Sequence, residues 1–314
     1  KKKNFRLIMI GPDPNFCSKT ERNLFYHWQY LRNKKSSESE VNFLYKKCKK
    51  YSSKIIIFDE YLKKNFISKL QDLDIKVIKF GRINKENLKA NILISQAPSI
   101  NSKKINIDLS NNVLSGAQYS IIRKQFVKHK SKIKNNIKEI FICFGGGDDR
   151  GAIFDLIKLI NENKLGNVRF NLVSGKNNPN NSFLKKFIKE RNDKRLNFYV
   201  DPVNLVSLMS NSDLAIVSGG TIVSELAYLG VPMIVFSIAD NQIMHAKQWR
   251  KNSGLFYIGK YSLSNIKKLP KIIKYLDSNF ELRRNLSRSL RAQIDNNGSK
   301  RVSSFIEKYY KLIV

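Results

Sequence analysis

Cysteine is scarce in this chain, and the three present, Cys17, Cys48 and Cys143, are odd in number and far apart. That pattern excludes a disulfide framework and offers no zinc-ligand spacing, so reduced thiols are expected. Long hydrophobic runs are missing too. Lys1–Arg6 leads into a short apolar stretch, Leu7–Ile10, that stops at Gly11-Pro12, too short for a secretory core or a membrane span. A cytoplasmic location is therefore expected. No short repeat or low-complexity tract is evident. Acidic residues are also few: 25 Asp+Glu stand against 58 Lys+Arg, for a net charge of +33. An anionic partner follows, whether nucleic acid, an acidic membrane surface or a phosphorylated substrate. No zinc finger, recognition helix or RNP-like aromatic motif accompanies the charge, and the lysines are spread along the chain rather than gathered in one arm. Nucleic acid is not the expected partner. Peripheral contact with an anionic membrane, at its inner face, fits better, and most lysines read as solvated surface.

What is present is concentrated in one string. Leu214-Ala-Ile-Val-Ser218-Gly219-Gly220-Thr221 runs on through Glu225 to Gly230-Val-Pro232. The β-branched run reads as a buried strand, and Ser-Gly-Gly allows a sharp turn into a helix whose free N–H groups suit a diphosphate. Thr221 and Glu225 share one helical face, so the hydroxyl can meet a phosphate while the carboxylate, one turn on, accepts a pair of vicinal hydroxyls such as a ribose offers. Gly230 caps the helix and Pro232 prevents its continuation. Taken alone, Gly-Gly reads rather as close helix–strand packing in an ordinary α/β turn. The whole ordered string favours a nucleotide-sugar site.

At 314 residues the chain exceeds the usual single-domain size, so two domains are expected. Arg6–Ile10 reads as a strand, Ser18–Glu21 as a capping box opening a helix to about Leu31, and Val41–Tyr45, Lys54–Phe58, Ile75–Phe80 and Asn91–Ser95 as further strands. A polar, basic connector at Lys128–Asn136 reads as a solvated linker. A second series then begins, with strands at Glu139–Phe144, Arg169–Val173, Leu196–Tyr199, Leu214–Val217 and Met233–Phe236, and a helix over about Ala152–Ile160. This alternation predicts parallel βαβ units. The fold class expected is α/β with GT-B architecture, two Rossmann-like domains flanking a central cleft: residues 1–127, a linker at 128–137, and residues 138–314 with the last helix packing back on the first domain.

Colinear motifs then resemble a known family. Phe58-Asp59-Glu-Tyr61, Leu114-Ser-Gly116 through Tyr119 and Arg123 to Phe126, Gly145-Gly146-Gly147-Asp148, the Ser218–Gln242 stretch and Asp295-Asn-Asn-Gly298-Ser-Lys-Arg301-Val302 are similar to the UDP-sugar hydrolase of pseudaminic acid biosynthesis, itself similar to MurG-type glycosyltransferases. The resemblance implies a GT-B fold, UDP held by Ser218, Gly219, Gly220, Thr221 and Glu225, no required metal or cofactor, and chemistry at the anomeric carbon. One departure stands out. Where the family's first loop has Gly-His-x-x-Arg with a catalytic histidine, this chain reads Ser18-Lys19-Thr-Glu-Arg22. An ordinary lysine is protonated at neutral pH and cannot serve as a base, so Lys19 is expected to contact the diphosphate or an anionic acceptor, or simply to face solvent.

The other histidines replace it poorly. His27 falls inside the predicted helix, His129 falls in the connector, and only His245 lies near the motif, three residues past Gln242. Asp13 and Asp59, in loops beyond strand ends, are better placed as carboxylate bases, with Tyr61 beside them. Gly146, Gly147 and Asp148 read as a loop for sugar hydroxyls, or with Asp149 as a helix cap, metal coordination being the lesser alternative. Asn241 and Gln242 offer neutral amides to sugar hydroxyls or N-acyl groups. Hydrolysis of a sugar–UDP bond is the leading expectation, with glycosyl transfer to an acceptor or non-catalytic binding as the others.

Overall fold

The computed structural model describes residues 7–11, 22–30, 37–59, 62–98, 113–162 and 167–313. They divide into two compact units, Lys1–Val77 and Ile78–Val314. In the first, β1 (Ile8–Gly11) pairs in parallel with β2 (His27–Tyr30). They are followed by α1 (Ser37–Lys50), β3 (Ile55–Phe58) and α2 (Phe66–Gln71). Two expectations fail here. The helix expected to run from Ser18 to Leu31 is, over its last described residues, strand β2, because His-Trp-Gln-Tyr is aromatic-rich and finds a partner in β1. The strand expected at Val41–Tyr45 is the middle of α1. Val41, Leu44 and Cys48 are its buried residues, spaced as one helical stripe, with Glu38 and Glu40 in the first turn and Lys47, Lys49 and Lys50 in the last. That charge order complements the helix dipole. The capping box at 18–21 lies outside the described residues.

The strand β4 (Lys76–Phe80) begins in the first unit, where Lys76 N–H donates to the Lys54 carbonyl. In the second unit it pairs in parallel with β5 (Ile92–Ser95), which pairs with β6 (Val113–Ser115). A 3₁₀ turn at Ala117–Tyr119 and another at Lys124–Phe126 follow. Then come β7 (Glu139–Cys143), α3 (Ala152–Glu162), β8 (Arg169–Ser174), α4 (Asn181–Arg191), β9 (Leu196–Val200), α5 (Leu205–Asn211), β10 (Leu214–Ser218) and α6 (Ile222–Leu229). The series closes with β11 (Met233–Ser237), α7 (Asn241–Ser253), β12 (Phe256–Lys260), α8 (Leu263–Ile266), α9 (Leu269–Asp277), α10 (Phe280–Ala292) and α11 (Gly298–Ile313).

Strands β7 to β12 form a six-stranded parallel sheet in the order β12-β11-β10-β7-β8-β9. This is the doubly wound dinucleotide-binding order, and the strand order reverses between β7 and β10. Two-residue alternation explains why the sheet is covered on both sides. Ile140, Ile142, Leu214, Ile216, Ile234 and Phe236 belong to one core cluster. Their neighbours Phe141, Cys143, Ala215, Val217, Met233 and Val235 belong to the other. Strands buried on both faces read as continuous apolar runs, as these do.

The basic connector is not a loose solvated linker. Its lysine side chains are exposed, but its backbone is fastened: Ser131 N–H donates to the Leu229 carbonyl at 2.9 Å, and the Arg283 guanidinium donates to the carbonyls of Lys134 and Asn135 at 2.7 Å each. Arg291 holds the Ser131 carbonyl as well. Carbonyls without regular partners need donors wherever water is displaced, and two arginines supply them.

Candidate functional site

The switch point between β7 and β10 is where two loops part to opposite sides of the sheet, and both carry the glycines singled out by sequence. After β7 comes Gly145-Gly146-Gly147, and after β10 come Gly219 and Gly220. The loops adjoin: a Cβ built on Gly145 would sit 4.0 Å from Ser218 Oγ. Gly145 adopts φ +111°, a left-handed conformation that favours glycine. Residues 145–148 are exposed, leaving backbone open to a ligand. Gly175, just after β8, explains a further close approach, because a Cβ there would lie 2.3 Å from the Gly146 backbone. Asn177 N–H donates to the Gly146 carbonyl at 3.3 Å. Gly175 was not singled out, since nothing in a lone Ser-Gly marks which loop it will touch.

The two aspartates divide their work. Asp149 is buried and accepts from the N–H groups of Gly151 at 3.2 Å and Ile153 at 3.0 Å, which caps the start of α3. Asp148 is exposed and one oxygen takes the Arg150 N–H at 2.8 Å, leaving the other for a hydroxyl. At the end of β7, burial pushes the Cys143 thiol up to about 11, so this sulfur is inert near neutral pH.

On the β10 side, Gly219 N–H closes the strand end by donating to the Phe236 carbonyl at 2.8 Å. A Cβ on Gly219 would come within 3.1 Å of the Gln242 carbonyl and 3.3 Å of the Ala246 Cβ. Glycine here lets α7 lie directly against the turn. Thr221 caps α6 with no side-chain capping bond and is exposed, so its hydroxyl faces outward beside the helix N-terminus. Every residue of α6 from Val223 to Leu229 is buried. Gly230 ends the helix as expected, at φ 77° and ψ 32°, donating to the Ala227 and Leu226 carbonyls.

Glu225 is one turn beyond Thr221 and largely buried, and its carboxylate is held side-on by Arg123. The Arg123 Nε lies 2.6 Å from Oε1 and Nη2 lies 2.9 Å from Oε2. The guanidinium itself rests on the Phe126 ring, 4.9 Å from its centroid. Two lone-pair positions of the carboxylate are thereby filled and about two remain for hydroxyl donors. Ser120 Oγ contacts Ser224 Oγ at 3.3 Å, so the 117–126 segment is laid along α6 by two side-chain links. That segment is in turn held by α11: Arg301 donates to the Gln118 carbonyl at 2.9 Å and pairs with Asp295 at 2.7 Å. Arg123 stood within a motif but had no assigned role, because its partner is 102 residues away.

Asn241 is the exposed first residue of α7. Gln242 turns its Oε1 back to accept the Ile238 N–H at 2.9 Å, which leaves its NH₂ as a donor. His245 does not reach outward: Nδ1 lies 2.9 Å from the Gly219 carbonyl, and Nε2 takes the Trp249 indole N–H at 3.2 Å. Asp59 is an exposed residue after β3 in the first unit. Asp13, Lys19 and Tyr61 lie outside the described residues. Among the described residues, no helix is long and apolar enough to cross a membrane.

No protein-family model matches the chain. Over 298 residues it is 22% identical to the spore coat polysaccharide biosynthesis protein SpsG of Bacillus subtilis, a match covering 91% of this chain and 85% of that protein. It is 27% identical over 127 residues to the UDP-2,4-diacetamido-2,4,6-trideoxy-beta-L-altropyranose hydrolase of Campylobacter jejuni, covering 40% of this chain and 44% of that one. Among solved structures, the MurG of Acinetobacter baumannii superposes with a TM-score of 0.60 at 13% identity, covering 96% of this chain and 99% of that chain. The superposition on MurG shows a GT-B fold with two Rossmann-like domains, and the sequence matches show similarity to SpsG and to the hydrolase.

Proposed function

We propose that this chain binds a UDP-linked amino sugar at the β7/β10 switch point and cleaves its sugar–UDP bond by hydrolysis, in the synthesis of a surface glycan or nonulosonic acid. The observation that carries the reading is the convergence of two glycine-rich loops at that point. The N-terminus of α6 offers N–H groups and the Thr221 hydroxyl to a diphosphate, and Glu225, oriented by Arg123, accepts the vicinal hydroxyls of the ribose. In the reaction a water oxygen bonds to the anomeric carbon as the bond from that carbon to the UDP oxygen breaks, and the proton that the water loses passes to solvent. Charge growing on departing UDP is met by the helix N-terminus. Asp148, Asn241 and Gln242 are assigned to sugar hydroxyls and N-acyl groups. The hydrolase name of the Campylobacter relative supports water as acceptor. Lysine at position 19 favours the second reading, glycosyl transfer, in which an acceptor hydroxyl takes the place of water.

The test is to incubate the protein with UDP-sugars, with and without candidate acceptors, and follow UDP by ³¹P NMR. Release without acceptor is expected; acceptor-dependent release would establish transfer instead. Glu225→Ala is expected to weaken UDP binding by about tenfold or more, the cost of losing charge-assisted hydrogen bonds. Unchanged affinity in a folded variant would remove the ribose assignment.

A further inference from the structure

His245 on α7 meets the turn between β10 and α6, and Trp249, one turn further along the same helix, backs it. His245 Nδ1 is 2.9 Å from the Gly219 carbonyl oxygen, and Trp249 Nε1 is 3.2 Å from His245 Nε2. The chemistry of the partners fixes the proton. An indole N–H can only donate, so Nε2 is the acceptor and carries no proton; a carbonyl can only accept, so Nδ1 carries it. Trp249 is fully buried, which leaves its N–H no solvent alternative. Burial of the imidazole lowers its basicity, in keeping with a ring held neutral.

The consequence falls on the next peptide. With no cis peptide bonds among the described residues, the Gly219–Gly220 unit is planar and trans, so its N–H points opposite to its carbonyl. Pulling the Gly219 carbonyl toward α7 therefore turns the Gly220 N–H away from α7. No acceptor takes that N–H among the described residues, and the nearest atom to a Cβ on Gly220 would be Ser218 Oγ at 3.9 Å, so the backbone there is open. We infer that His245, locked by Trp249, is a positioning residue that aims the Gly220 N–H at the diphosphate, enlarging the cradle made by the start of α6. This inference rests on the proposed UDP site. It also gives Gly219 its reason: a side chain would push α7, and His245 with it, away from the carbonyl.

The experiment measures UDP and uridine binding calorimetrically for the wild type, His245→Leu and His245→Asn. His245→Leu is expected to bind UDP about tenfold more weakly, with uridine affinity held within about twofold, because only the diphosphate uses the aimed N–H. His245→Asn, whose amide N–H can stand where Nδ1–H stood, is expected to restore UDP binding to within about threefold of wild type. Equal losses for UDP and uridine would mean a merely structural role and overturn the inference, as would unchanged UDP affinity. A wild type that binds neither ligand would instead sink the proposed function itself. Should His245→Leu fail to fold, Trp249→Phe serves, since it keeps an aromatic side chain, though a smaller one, and removes the N–H that fixes the tautomer. A UDP-to-uridine affinity ratio equal to wild type in that variant would equally overturn the inference.

Discussion

Single residues in this molecule act at a distance through the segment that carries Arg123. Asp295 shows how. Its carboxylate, paired with Arg301 and accepting the Asn297 N–H, is held down from 3.8 to about 2, the Arg301 bond being the largest cause. A carboxylate with a depressed folded-state pKa contributes stability that is complete above its ordinary pKa and is lost as pH falls through the folded value. Wild type is therefore expected to melt above Asp295→Asn at pH 6, with the gap closing as pH falls from about 4 toward about 2. Both partners are partly exposed, which limits the effect. Melting curves across that range check it, and a gap independent of pH would remove the pair as its origin. Arg123 and His245 mark where sequence reading stops at this scale. The strand, turn and helix that carry Gly219, Gly220, Thr221 and Glu225 are legible in the sequence because they are local patterns. The partners that orient them come from other elements, and spacing along the chain carries no trace of that.

Elements with an unambiguous apolar period form where the sequence predicts them. Strands β7, β8, β9, β10 and β11 are short, β-branched or aromatic runs bounded by turn residues, and the structure begins and ends them within a residue or two of expectation. The errors fell where one pattern serves two structures. Val41–Tyr45 gives too short a window to separate a strand from the middle of a helix, and only Cys48, a turn later, completes the stripe of α1. The aromatic run at β2 was overruled by a capping signal upstream of it. The charge of the connector at 128–136 predicts a solvated linker, whereas its order comes from α10. Arg283 is fully buried and donates to the carbonyls of Leu276, Asp277, Lys134 and Asn135, joining the end of α9 to the connector. Arg283→Met keeps much of the volume but orphans those carbonyls. It is expected to cost about 3 kcal/mol of stability, the range for removing charge-assisted buried hydrogen bonds. Denaturant titration measures this, and a loss below about 0.5 kcal/mol would show that water replaces the guanidinium freely.

Across the whole molecule, charge must be weighed against a ligand that is itself an anion. The net charge of +33 is far more than one diphosphate needs, and two cations beside the candidate site are already engaged by carboxylates, Arg123 with Glu225 at 2.6 Å and Lys260 with Asp240 at 2.9 Å. In the proposed complex, short-range binding energy would come mainly from backbone N–H groups and neutral side chains, which salt screens little. The spread lysines act differently, as a field that draws an anion inward over a distance comparable with the Debye length, about 10 Å at 0.1 M salt. These two contributions separate in kinetics. Raising salt from about 0.02 M to about 0.5 M is expected to slow UDP association by about tenfold, while dissociation changes by less than about twofold. Uridine, which has no charge to steer, should associate at a rate nearly independent of salt. Stopped-flow measurements with both ligands test this. A dissociation rate that rises steeply with salt would place a lysine directly on the diphosphate, and Lys19, for which that contact is one of the three sequence expectations, is the first residue to substitute.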